Sequence, residues 1–360
     1  MDDVWKLNDI HLAFEEALAE VIGGLKDNEP DEATLENIIQ EVSDEFVASI
    51  SDKIYADLNE RAAEMLIERR EMRRGFVERN IKRWKSGFDL LERMIVISEE
   101  IGQAVNNSLR QDAAANNDAL FEALITNHAR AIVVSREILA LMVAGFPDGA
   151  LGRWRTLHEI AVESAFLKKF GSAAAEGYIL QEHVAAYKRA RNYMEYYEPA
   201  NLTPYTSEEL KGLKAQRDAV IAEDRRFKEQ YGWAAIALNR DKVTFFDIEE
   251  AAGLSHWRPR YKWATINTHG GYGEHSALGR SESRQGVLLS GESNSGMADP
   301  GHMTAITLTS ATFPITQLAP TIDGEIYIKI MLRLSSETGE AFLRASKMER
   351  NPHASEPSAS

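Results

Sequence analysis

The chain reads as an all-α protein, a multi-helix bundle around a central antiparallel helix hairpin with an N-terminal helical arm. Three observations predict this. Apolar residues recur three and four positions apart through most of the 360 residues. Residues 119–171 hold two apolar helical segments separated only by Gly145-Phe146-Pro147-Asp148-Gly149. The one Thr-rich stretch with strand propensity, Met303–Leu318, has no convincing partner strand.

The arm comes first. Ile10, Phe14, Ala17, Leu18, Val21 and Ile22 mark a helix that ends at Gly23-Gly24. After the turn Asp27–Asp31, the residues Leu35, Ile38, Ile39, Val42, Phe46, Ile50, Ile54 and Leu58 define a long amphipathic helix. Its continuation into Arg61–Lys85 is left open. Residues 1–70 are expected to form an acidic helical arm or small domain, 71–350 a helical core domain, and 351–360 a disordered tail. The core pattern thickens from Phe76 to Ile101, and Asn116-Asn117-Asp118 reads as a helix N-cap region. The hairpin follows, its loop carrying Gly for a left-handed cap and Pro just beyond it. Such a short loop predicts antiparallel neighbours.

A tyrosine-rich helix is expected over Ala173–Tyr197, a charged one from Ser207 to about Tyr231, and a short one over Phe245–Leu254. Tyr261–Thr268 forms another, stopped by Gly270, Gly271 and Gly273. Residues 279–301 read as loop, with a small hairpin near Val287–Leu289. Asp299-Pro300 is a good helix start, so Met303–Leu318 is read as helix, followed by Ile322–Leu343.

Composition excludes several classes of function. With no cysteine there is no disulfide framework, thiolate metal site or cysteine nucleophile. The N-terminus lacks a signal-peptide pattern, and the apolar run Ala131–Phe146 is too short to span a bilayer. A soluble cytoplasmic protein without membrane association is the expectation. Net charge is −15 and unevenly placed. Residues 1–60 hold seventeen Asp and Glu against three Lys, and residues 61–85 hold nine Arg and Lys against four Glu. These are two solvated helix faces, segments that fold against each other, or, for Arg69–Lys85, a basic helix for RNA.

On a helical wheel, Leu151–Lys169 is apolar around most of its circumference, so the helix belongs in a bundle interior. Arg155 and Glu159 are an i,i+4 pair on a mostly buried face, and His158 lies between Leu151 and Ala165. Charges so placed must be paired. They form either a structural ion pair or the floor of a polar pocket. Tyr261, Thr265 and His269 are spaced by four and project from one side of a second helix. His269, Glu274 and His275 match no strong metal-ligand spacing, and Gly270–Gly273 lacks the context of a phosphate loop. No cofactor is implied.

Arg153-Trp154-Arg155-Thr156-Leu157-His158-Glu159, after the Gly-Phe-Pro-Asp-Gly turn, resembles an uncharacterised bacterial family of helical domains. Its members carry an Arg-Thr/Ser-Leu-x-Glu helix and, downstream, Tyr-x3-Ser/Thr-x3-His, present here as Tyr261, Thr265 and His269. The likeness spans about Phe76–Met303. It implies that Arg155, Glu159, Tyr261 and His269 belong to one constellation, and it supplies no reaction. A second likeness is to helical toxin and phage-defence ribonucleases with Arg-x4–6-His, a spacing met by Arg153 and His158. Residues five apart lie about 140° apart on a straight helix, however.

Three readings follow. The first is a binding or regulatory module whose polar cleft is lined by Arg155, Glu159, Tyr261 and His269, with the N-terminal helices contacting a protein partner or a second copy. The second is a metal-independent ribonuclease with His269 as base, Arg155 as phosphate clamp, and Tyr261 or His158 assisting. In the third, the polar residues only specify packing.

Overall fold

The computed structural model describes residues 9–24, 31–266, 268 and 290–348. Among these there are eleven α-helices and no strand. In order they are α1 (Asp9–Gly24), α2 (Glu32–Asn116), α3 (Ala119–Val143), α4 (Pro147–Phe170), α5 (Ser172–Tyr196), α6 (Ser207–Glu223), α7 (Gly232–Ala237), α8 (Phe245–Ala252), α9 (Arg258–Ile266), α10 (Ala298–Thr316) and α11 (Ile322–Met348). The chain divides into two compact units, Met1–Gly75 and Phe76–Ser360, and the boundary falls within α2.

In the first unit, α1 lies against α2 through the Phe14 and Phe46 rings, whose centroids are 5.4 Å apart. The sequence leaves the continuity of α2 open; it is one 85-residue helix. Within this unit α1 lies beside the part of α2 that runs from Phe46 to Arg61, so the acidic helix meets the acidic part of α2 and the first residue of the basic stretch.

The second unit is built on the hairpin of α3 and α4. Asp118 caps α3 by accepting from Phe121 N at 3.0 Å. At the other end, Gly145 N donates to Met142 O and Phe146 N to Leu141 O, at 3.0 and 2.8 Å. This is a Schellman stop, and its left-handed position (φ +88°) is taken by Gly145. Pro147 then opens α4 at a position that needs no N–H donor. From α2, the Asn80 amide donates to Met142 O and Val143 O, completing the end of α3.

α10 packs on α3, α4 and α11. Its Thr content does not prevent a helix, because Thr309, Ser310 and Thr312 donate back to the carbonyls of Ala305, Ile306 and Leu308. A buried relay joins three helices: Thr312 Oγ1 donates to Leu308 O, so it accepts from Ser98 Oγ at 2.7 Å, which accepts from His128 Nε2 at 3.1 Å. The Phe342 ring of α11 packs between Gly87 of α2 and Gly301 of α10.

One expected helix is shorter than read. The charged helix does not reach Tyr231; it stops at Glu223, because Asp224 adopts extended backbone and accepts from Arg226 N at 2.8 Å. That local bond offers the chain an alternative to the next helical turn. A 3-10 turn over Arg225–Lys228 and the short α7 take over. The expected hairpin near Val287–Leu289, the Gly-rich stop and the tail lie outside the described residues.

Candidate functional site

Three predicted residues meet in space. Arg155 and Glu159 project from α4 toward α9, where Tyr261 joins them. Arg155 Nη2 donates to Tyr261 Oη at 2.8 Å, and Tyr261 Oη donates to Glu159 Oε1 at 2.5 Å. Arg155 Nη2 also lies 3.1 Å from the same carboxylate oxygen. The three side chains thus close a ring of charge-assisted bonds, with Tyr261 buried and Arg155 and Glu159 partly so. Arg155 Nε is buried and has no hydrogen-bond partner.

The electrostatics follow from this geometry. Burial works against the Arg155 charge, but the bond to Tyr261 and the nearby Glu159 carboxylate outweigh it and raise its pKa. Burial, followed by its bond to Glu159, raises the Tyr261 phenol well above the ordinary range, so it stays a donor.

The row on α4 runs one turn further than the sequence reading took it. Glu163 stands four residues beyond Glu159, and Tyr178 of α5 donates to its Oε2 at 2.9 Å. Burial and repulsion from Glu159 raise the Glu163 carboxyl to about 7, against the smaller pull of Tyr178 and Arg130 in the other direction. Tyr231, before α7, feels Glu159, Glu163, Arg155 and Arg258, and is pushed up to about 12, chiefly by burial. Asn127 of α3 lies 3.2 Å from Tyr178 Oη and is 1% exposed; its Nδ2 has no partner. Asn127, Arg130 and Tyr178 line a cavity of about 590 Å³ between α3 and α5. The i,i+4 continuation from Glu159 is the signal that could have found Glu163; the tyrosines of α5 were visible, but their partners were not.

His158 is placed differently. Its ring stacks on Trp154 with centroids 5.3 Å apart and lies 5.6 Å from Tyr261, in a layer behind the cluster. It is 2% exposed, and its Nε2 donates to Glu249 Oε1 at 3.0 Å. Glu249, fully buried on α8, also accepts from Arg258 Nη1 of α9 at 2.7 Å. His158 therefore serves as a joint between α4, α8 and α9 and takes no part in the Arg155–Tyr261–Glu159 hydrogen bonds. Arg153 turns the other way and pairs with Glu137 of α3, so Arg153 and His158 face different neighbours. Thr265 donates to the Tyr261 carbonyl at 2.8 Å, which ties it to its own helix. His269, Glu274 and His275 lie outside the described residues.

Fold and site together define an all-helical protein with an Arg–Tyr–Glu cluster set into the face of its central hairpin. Residues 121–285 match the model of a family of unknown function (DUF5677), a span that includes Arg155, Glu159, Tyr261 and most of the cavity wall. Neither the curated proteins nor the solved structures provide a match. No described helix is long and apolar enough to cross a membrane.

Proposed function

We propose that this protein is a binding module for a small polar ligand that presents an anionic or carbonyl oxygen to Arg155. One observation carries the reading. The Nη2 of Arg155 is bonded to Tyr261, but its buried Nε–H lacks an acceptor, and an unsatisfied buried donor costs about 1–3 kcal/mol. A ligand oxygen at that position recovers this energy and gains a charge-assisted bond. The Glu163 carboxyl, with a pKa near neutrality, offers the same ligand either a donor or an acceptor. The ribonuclease reading, with His269 as base and Arg155 as clamp, loses one of its two candidate assistants, because the His158 ring is enclosed by Trp154, Phe245 and Tyr261.

A thermal-shift panel of nucleotides, phosphate esters and carboxylates tests this. A ligand at 100 times its Kd adds about 2.7 kcal/mol, a rise on the order of 5 °C. Arg155→Lys keeps the charge, removes the Nε donor and is expected to abolish the response. No response in any arm, together with unchanged stability of Arg155→Leu/Glu159→Leu, would assign the cluster to packing alone.

A further inference from the structure

The first unit holds a helical pair in which no described residue is fully buried. No residue of α1 is buried, and none of α2 is buried before Asn80. Two helices with exposed apolar faces do not make a stable unit by themselves, since most helical stability comes from tertiary packing. Along α2, Val47, Ile54, Leu58, Met65 and Met72 fall within about 40° of one another on the wheel. Val47, Leu58, Met65 and Met72 are 58%, 53%, 47% and 49% exposed. The face that α1 takes, with Phe46, Ile50, Ile54, Asp57 and Arg61, meets this stripe at its edge in Ile54 and leaves Val47, Leu58, Met65 and Met72 uncovered.

We propose that a second copy of this chain covers the stripe, with the two α2 helices antiparallel and the two-fold axis between Asn59 and Glu60. Spacing and charge both select this arrangement. The stripe reads with intervals of seven, four, seven and seven, which changes heptad position at its middle. Turned end for end, four of its five residues match, Val47 meeting Met72 of the second copy and Ile54 meeting Met65, while Leu58 falls opposite the stem of Arg61. The charge gradient is self-complementary in the same sense. Asp44, Glu45 and Asp52 of one copy come beside Arg69, Arg73 and Arg74 of the other, and the reverse pairing holds across the axis. A parallel pair would instead stack two acidic segments on each other and two basic ones likewise. A basic partner of another kind would satisfy the acidic half only.

Full-length protein measured by light scattering should be a dimer at micromolar concentrations. Leu58→Glu/Met65→Glu should raise the dissociation constant about 100-fold or more, while circular dichroism shows the second unit still folded. The native chain has no cysteine, so introduced thiols report register. Val47→Cys and Met72→Cys proteins, when mixed, should cross-link with each other, and neither should cross-link with itself, because the like sites stand about 38 Å apart. Arg69→Glu/Arg74→Glu should weaken the dimer, and mixing it with Glu45→Arg/Asp52→Lys should restore association. A monomer throughout, a dimer indifferent to Leu58→Glu/Met65→Glu, or self-cross-linking of Val47→Cys would each overturn the proposal.

Discussion

Glu163 is raised to about 7 by burial first and then by the Glu159 carboxylate, so its effect on stability runs opposite to that of a salt-bridged acid. Below about pH 4.5 the carboxyl is protonated in both folded and unfolded chains. As pH climbs toward 7 the unfolded chain ionises while the folded one keeps its proton, and stability falls on the order of 3 kcal/mol before levelling off. Glu163→Gln escapes this loss. Urea unfolding at pH 5 and pH 8 should show the variant gaining on the native protein only at the higher pH. His128 behaves in the contrary sense. Burial lowers its pKa to about 4, so its contribution is intact above pH 6.5 and lost as pH falls through 4. Its ring resonances should not titrate in the folded protein above about pH 5. At Glu249, removal of the carboxylate in Glu249→Ala strands the buried His158 and Arg258 donors. That should cost about 3–5 kcal/mol in denaturant unfolding. Of these residues the sequence marked His158, because a polar side chain sat on an apolar wheel. Glu249 was illegible, since His158 lies 91 residues away in the chain, and Arg258, nine residues beyond Glu249 on a different helix, is joined to it by no local period.

Among elements, the α3–α4 hairpin was readable because its signals are local: Gly for a left-handed cap, Pro for a first turn, apolar spacing on both sides. Gly145→Ala tests the first of these. The substitution strains a φ of +88° and places a methyl 2.5 Å from the Phe76 ring, so a loss of about 2 kcal/mol or more in thermal unfolding is expected. Gly301→Ala acts through contact alone, its methyl falling 2.4 Å from the Phe342 ring, and should cost about 1–3 kcal/mol. The end of α6 was not readable. Glu223 and Asp224 suit a helix as well as a turn, and only the bond from Arg226 N to Asp224 decides between them. The length of α2 escaped for a related reason. The face that its apolar residues present shifts along the rod, so a search for one continuous stripe finds several shorter ones.

Across the whole molecule, packing is divided unequally. The second unit contains every buried residue of the described chain, and the first contains none. Heating followed by far-ultraviolet circular dichroism should therefore show two transitions. The earlier one belongs to residues 9–75 and should rise in temperature with protein concentration; the later one should not. The acidic and basic blocks were plain in the sequence, but the pairing of α1 with the Phe46–Arg61 part of α2 was not. Net charge by segment says nothing about which segments lie side by side.

The distances along the chain spanned by these contacts bear on the order in which the protein assembles. The α3–α4 hairpin joins residues close in sequence, so it forms with little loop-closure entropy and is suited to nucleate folding. The bonds from Tyr261 to Arg155 and Glu159 close loops of 106 and 102 residues. Leu151→Ala should therefore slow refolding in stopped-flow experiments. Tyr261→Phe should leave the refolding rate nearly unchanged and speed unfolding instead. On that account the Arg155–Tyr261–Glu159 cluster closes after the hairpin during folding, and the ligand proposed for Arg155 would act mainly as a brake on unfolding.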